Sequence, residues 1–340
     1  MATIRTVLGD IAPERVRNAM IHEHVLFDIA VPGHNAGKRA EIDIRDRWQI
    51  DYYSNRHAAN AHQLNAAAAI SEMEAFREDG GDLVVDQSVI GLARDAKGLR
   101  RVSESSGVHI VAATGTYTAA YLARDIRSLG ESELAGLFTR EILLGMDDTD
   151  ICAGIIGEIG CSWPLEDIER RALAAAARSQ LETGAAISVH PGRHPGACSE
   201  IIGILEGEGA DLSRTVLCHM DRTYPDGDGV LQILERGVNV EWDFFGIEQS
   251  YYWMGDVEIP NDLDRLRLIG KFDELGFGSQ LLISHDICTK TRMKQWGGHG
   301  YGHILRNVTT LMDRLEFDRK LVEKLLRSNP VRLLAFKERS

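Results

Sequence analysis

Cysteine is scarce and unpaired in its spacing. The 340-residue chain has five, Cys152, Cys161, Cys198, Cys218 and Cys288. With an odd number and no Cys-x-x-Cys, neither a disulfide framework nor a zinc ribbon is indicated. They read as reduced thiols, with Cys152 and Cys218 lying inside apolar runs as core residues. No apolar stretch approaches the ~20 residues of a membrane span, and Met1–Asp10 lacks a charged-then-apolar leader pattern. A cytoplasmic location is therefore expected. Net charge is −13 with no basic block, which argues against nucleic acid or an anionic membrane as the main partner. A small substrate feels only the local field of its site and stays open. Neither Gly-x-Gly-x-x-Gly after the first strand nor a P-loop is present, so the doubly wound nucleotide-binding sheet has no support. No Pro- or Ser-rich linker divides the chain, and residues 1–340 read as a single domain.

Eight short, mostly apolar runs recur along the sequence: Asn18–Ile21, Leu83–Val85, His109–Ala113, Ala153–Ile156, Ala186–Val189, Thr215–Cys218, Val238–Trp242 and Gln280–Ile283. Continuous apolar runs are what parallel strands buried on both faces require. Helical stretches fall between them, including Ala61–Glu78, Glu131–Leu144, Glu166–Glu182, Ala197–Glu208 and Asp262–Leu275. Eight strands alternating with helices predict an α/β chain folded as a (β/α)8 TIM barrel. The stretch Asp28–Asn60 is long for a βα connection. It is read either as a lid or as a plain surface excursion.

His22-Glu23-His24 ends the first run. Two histidines two residues apart share one face of a strand, so both can reach one metal ion. A helical zinc-protease motif needs its second His four residues after the first, and position 26 is Leu26. In barrels of this kind the site lies at the C-terminal ends of the strands. The polar residues there are His22 and His24 (strand 1), Glu158 (strand 4), His190 (strand 5), His219 (strand 6) and Asp286 (strand 8). Singly, each has a bland explanation as a core histidine or a helix cap. Six at equivalent places point to a metal centre. Four imidazoles and two carboxylates suit two divalent ions, and imidazole favours zinc, cobalt, nickel or iron over magnesium or calcium. A carboxylate bridge on Glu158 would hold the ions ~3.5–4 Å apart around a shared water that ionises near neutral pH. Asp286 can take that proton and pass it to the leaving group.

In this order the segments resemble the amidohydrolase superfamily, and within it the phosphotriesterase family and its phosphotriesterase-related branch. They are Ile21-His22-Glu23-His24, Gly154-Ile155-Ile156-Gly157-Glu158-Ile159-Gly160-Cys161-Ser162-Trp163-Pro164, His190-Pro191-Gly192-Arg193, His219-Met220-Asp221-Arg222-Thr223, Ser284-His285-Asp286-Ile287 and Gly297-Gly298-His299-Gly300-Tyr301. The resemblance implies that His22, His24 and Asp286 hold the more buried metal, most simply zinc, that His190 and His219 hold the more exposed one, and that Glu158 bridges. Glu158 replaces the carbamylated lysine of the phosphotriesterases proper, which weakens any carry-over of their activity. What the resemblance implies is a bridging hydroxide attacking the carbonyl of a small N-acyl amide, of the N-acetyltaurine or N-acyl amino acid type, in a homodimer. The alternatives are a lactonase or carboxylesterase with weak phosphotriesterase activity, and a non-catalytic small-molecule binding protein. A one-metal enzyme of the same superfamily also stays open.

Substrate-binding candidates follow the same strand ends. Tyr117 can bond an oxyanion or cap the pocket. Arg193, Arg222, Lys290 and Arg292 can clamp a carboxylate or sulfonate, Arg with a paired donor fork. Tyr251-Tyr252-Trp253 would wall the pocket or serve an interface. His299 is read as a pocket or structural residue, and Trp163-Pro164 as shaping the turn after Glu158.

Overall fold

The structure, a computed structural model, describes residues 2–30, 41–53, 57–249, 251–252 and 254–336. Residues 31–40 and 54–56 of the long first connection, and Trp253, lie outside the described residues. The reading of 28–60 as a lid or a surface excursion falls in part on these residues, outside those described.

All eight expected strands form: β1 (Ala19–Glu23), β2 (Leu83–Asp86), β3 (His109–Thr114), β4 (Ile155–Gly160), β5 (Ile187–His190), β6 (Thr215–Leu217), β7 (Asn239–Trp242) and β8 (Leu281–Ile283). Each pairs in parallel with the next, in the order β1 to β8. Helices fill the connections: α1 (Ala66–Glu78), α2 (Ala96–Ser106), α3 (Glu131–Leu143), α4 (Asp167–Thr183), α5 (Pro195–Gly207), α6 (Val230–Glu235) and α7 (Asp262–Glu274). This is the (β/α)8 barrel. Among the described residues β8 and β1 share no regular ladder. Their seam is closed by the His22 N–H donating to Ser284 Oγ (2.9 Å) and the Asp286 N–H donating to the His22 carbonyl (3.0 Å).

Several boundaries differ from expectation for local reasons. Helix α1 begins at Ala66, because His62–Gln63 pairs antiparallel with Phe27–Asp28 and Asn65 then caps the helix by accepting the Ala67 and Ala68 N–H groups. Strand β4 starts two residues late and runs on to Gly160, so Glu158 lies within it rather than beyond it. Cys152 is half-buried in the loop before β4 and is not a core residue, whereas Cys218 is fully buried.

The lower half of the lumen is apolar. Ile21, Val85, Val111, Ile155, Val216 and Leu282 meet there. The hairpin Thr3–Thr6/Gly9–Ile11 pairs with Ala335–Phe336 and, with Ile4, Ile11, Leu333 and Leu334, seals that end. Burial of this layer fixes the strands whose other ends carry the polar groups.

Candidate metal centre and substrate cleft

All six sequence-selected residues converge at the upper rim, each no more than 8 % exposed. Glu158 lies at their centre. One carboxylate oxygen is 3.5 Å from His24 Nε2; the other is 3.6 Å from His22 Nε2, 3.0 Å from His190 Nδ1 and 3.4 Å from His219 Nε2. Asp286 Oδ1 is 3.3 Å from His24 Nε2 and 3.7 Å from His22 Nε2. Three overlapping groups of potential ligands result: His22/His24/Glu158, His22/His219/Asp286 and Glu158/His190/His219, each with its ligand atoms within 4.8 Å of one another.

Local backbone geometry aims these groups. The β4–β5 register slips between Ile156 and Ile159, around Gly157 at φ +117°. A Cβ on Gly157 would collide with the Ser188 carbonyl oxygen, so only glycine permits the irregularity that carries Glu158 into the barrel mouth. His219 and Asp286 both adopt left-handed backbone, at φ +58° and +50°. Such conformations persist where surrounding structure enforces them, and they cluster at functional sites.

The donor set fits a divalent metal. Both ring nitrogens of His22 are buried with no hydrogen-bond partner among the described residues, a costly state that a bound cation would relieve at Nε2. His219 Nδ1 lies 2.8 Å from Asp243 Oδ1, a contact that directs Nε2 toward Glu158. Burial pushes the Glu158 carboxyl up, but His190, His219 and His22 outweigh it and hold it well below the usual range. Burial likewise opposes, and His24 and His22 overcome it, leaving Asp286 at about 2. Burial, opposed by Glu158 and reinforced by Arg222, brings His190 down to about 4. The carboxylates are therefore ionised and His190 neutral, the forms metals bind; at His22 burial is outweighed by Cys218 and Asp243, and at His24 by Asp286, so these two imidazoles are raised and a bound cation would displace their protons.

Sequence reasoning missed the supporting carboxylates. Asp243, just beyond β7, accepts the His219 N–H (3.0 Å) and lies 3.4 Å from His22 Nδ1. Asp86, at the end of β2, accepts the Val25 and Ser88 N–H groups (2.6 and 2.9 Å). Both occupy the strand-end position that singled out the six, so the same rule applied to strands 2 and 7 would have found them.

The cleft above the centre leaves about 110 Å³ in which a water-sized group can be centred. Its walls include Tyr117, His190, Arg193, Arg222, Phe244, Tyr252, Asp286 and Arg292. Tyr117 sets its ring edge against His190, centroids 5.1 Å apart. Arg222 is 3 % exposed, and its Nη2 lies 2.8 Å from the Pro191 carbonyl and 3.1 Å from His190 Nε2. Arg193 donates to Tyr252 Oη (2.7 Å) and stands near the mouth. Two other candidates are placed differently. Lys290 is not part of the cleft wall, and its ammonium lies 5.3 Å over the Trp296 ring. Arg292 faces the cleft but donates to the carbonyls of Phe245 (3.2 Å), His285 and Asp286 (2.6 Å). Of the aromatic stretch, Tyr252 walls the cleft while Tyr251 stacks on Tyr52 outside it. His299 Nε2 accepts from Arg292 Nε (3.3 Å), a structural contact beside the site.

A family model described as the phosphotriesterase family matches residues 2–334. The chain belongs to this family. It is 38 % identical to a rat protein named N-acetyltaurine hydrolase over 98 % of each chain. A resiniferatoxin-binding protein from Rhodobacter sphaeroides superposes with TM-score 0.89 at 30 % identity, covering 98 % of this chain and 94 % of that one. A mutant of a phosphotriesterase-like lactonase from Deinococcus radiodurans gives 0.76 at 26 % identity, over 98 % and 100 %. This phosphotriesterase-family chain is a metal-dependent hydrolase acting on a small molecule. No helix among its described residues is long and apolar enough to cross a membrane.

Proposed function

We propose that this chain hydrolyses a small anionic N-acyl amide, N-acetyltaurine or an N-acyl amino acid, at a centre holding two zinc ions. One observation carries the anionic part. Arg222 is almost fully buried beside the centre, and among the described residues it forms no ion pair with a carboxylate. A buried guanidinium without a counter-charge is unfavourable until an anion arrives. Arg193 stands close enough to lower the Arg222 pKa further, after burial itself. A sulfonate or carboxylate bound by this pair would be held beside His190, with its acyl group over Glu158. The rat relative's name supports the same chemistry.

His22, His24 and Asp286 would hold one ion, His190 and His219 the other, with Glu158 between them. When bound, the ions would acidify a shared water and polarise the acyl carbonyl. Asp286, ionised and facing both sides of the centre, takes the proton from the nucleophile and returns it to the departing amine. Tyr117 lines the wall where the carbonyl oxygen would lie. Arg292 contributes by holding the Asp286 carbonyl rather than by touching substrate, and Lys290 has no part in the cleft. The proposal extends to one domain over 1–340 acting as a cytoplasmic homodimer, which sedimentation and fractionation test.

The deciding experiment is metal content per chain, followed by turnover of N-acetyltaurine, N-acetyl amino acids, lactones and esters. About two zinc ions and preferential amide turnover are expected. Faster lactone turnover would replace the amide assignment, in line with the Deinococcus neighbour. Tight ligand binding without any turnover would favour a binding protein, and no metal uptake after reloading would overturn the centre itself.

A further inference from the structure

We propose that Glu23, the middle residue of His22-Glu23-His24, is the positioning residue that holds Asp286 in its working conformation. The inference rests on the role given to Asp286 above and concerns how that role is enforced.

Strand alternation turns Glu23 away from the two histidines that flank it. It is fully buried, forms no part of the cleft wall and touches no other candidate ligand side chain within hydrogen-bond distance. Its carboxylate is spent on the far side of the barrel seam. Oε1 accepts the His285 N–H (3.0 Å) and lies 2.6 Å from His285 Nδ1; Oε2 accepts the Ile287 N–H (3.1 Å). These amides bracket Asp286, whose own N–H donates to the His22 carbonyl (3.0 Å). Three successive amides of the β8 exit are thus fixed by two adjacent residues of β1.

Asp286 needs this restraint. At φ +50° its backbone occupies the left-handed region, which is unfavourable for a non-glycine residue. Free of its anchors, the segment would relax toward ordinary backbone and swing the carboxylate away from His22 and His24. Arg292 completes the frame by donating to the carbonyls of 285 and 286. Glu23 receives the amide side of this segment, Arg292 the carbonyl side. The motif therefore carries two kinds of information: its outer residues would hold the metal, and its middle residue aims a ligand that lies 263 positions later.

The test is Glu23→Gln in the full chain. A carboxamide can accept from one bracketing amide but turns its NH2 toward the other. The bound metal is expected to fall from about two ions toward one per chain, because the Glu158/His190/His219 set is left intact. Turnover is expected to fall roughly 10–100-fold in kcat with KM nearly constant, as for other residues that orient metal ligands. Glu23→Asp, which keeps the charge but is too short to span both amides, should not restore either. A purely structural seam would instead lower the thermal midpoint while kcat and metal content per folded chain stayed at wild-type values, and that result overturns the proposal. Amide hydrogen exchange on the metal-free wild type needs no variant: residues 285–287 should exchange slowly before any metal is added. Fast exchange there overturns the latch. A wild type that binds no metal yet protects these amides would sink the metal centre and leave the latch standing.

Discussion

The two ends of this barrel are built from the same eight strands yet obey opposite rules. At the lower end Ile21, Val85, Val111, Val216 and Leu282 pack with Ile4 of the N-terminal hairpin into an apolar cluster. At the upper end, only a few residues further along the same strands, His22, Glu23, Glu158, His190, His219, Asp243 and Asp286 are buried together. Apolar burial stabilises; buried titratable groups cost free energy unless paired or bound to metal. The contrast shows a division of labour along each strand, with the lower layer supplying rigidity that the upper layer uses.

The comparison can be broken most severely at Asp286. Asp286→Asn should cut kcat by roughly 10²–10⁴-fold with the chain still folded, measured by steady-state kinetics beside circular dichroism. The converse change is Ile4→Ala at the sealed end. It should destabilise by about 2–5 kcal/mol in denaturant titration yet leave kcat/KM per folded chain unaltered; a loss of activity in the folded fraction would erase the division. Arg222→Met tests the cleft. It should lower kcat/KM for anionic N-acyl substrates roughly 10–100-fold, the worth of a charged hydrogen bond, with little effect on a neutral ester. The smallest effect concerns Asp262 at the start of α7. Burial opposes its ionisation, but His303 and Arg265 hold it at about 2. Its folded pKa is below its unfolded value, so its stabilisation is complete above about pH 4 and is lost as pH falls through 2. Asp262→Asn should flatten the decline of the thermal midpoint over that window.

Much of this was legible in the sequence. The eight strands announced themselves because doubly buried parallel strands leave nearly continuous apolar runs, and six candidate ligands followed from asking what stands at the strand ends. Helix α2 was less visible: Ala96–Ser106 buries Leu99 and Val102 but is otherwise rich in charge and serine. The closing strand Ala335–Phe336 is too short to carry a period. The fates of Lys290 and Arg292 could not be read from their positions after β8, because they depend on Trp296 and on the carbonyls of 245, 285 and 286. Spacing says which loop a cation occupies; only the folded chain says which oxygen it finds.

The seam between β8 and β1 has a consequence for synthesis. Its contacts join residues 262 positions apart, among the most distant pairings in the chain. Closing so long a loop is slow relative to local helix and strand formation. A nascent or truncated chain ending before Asp286 carries five of the six donors but lacks the group assigned to proton transfer. On the role proposed for Asp286, hydrolytic competence arrives only once the last barrel strand is made, and an incomplete chain would have little means to turn over substrate.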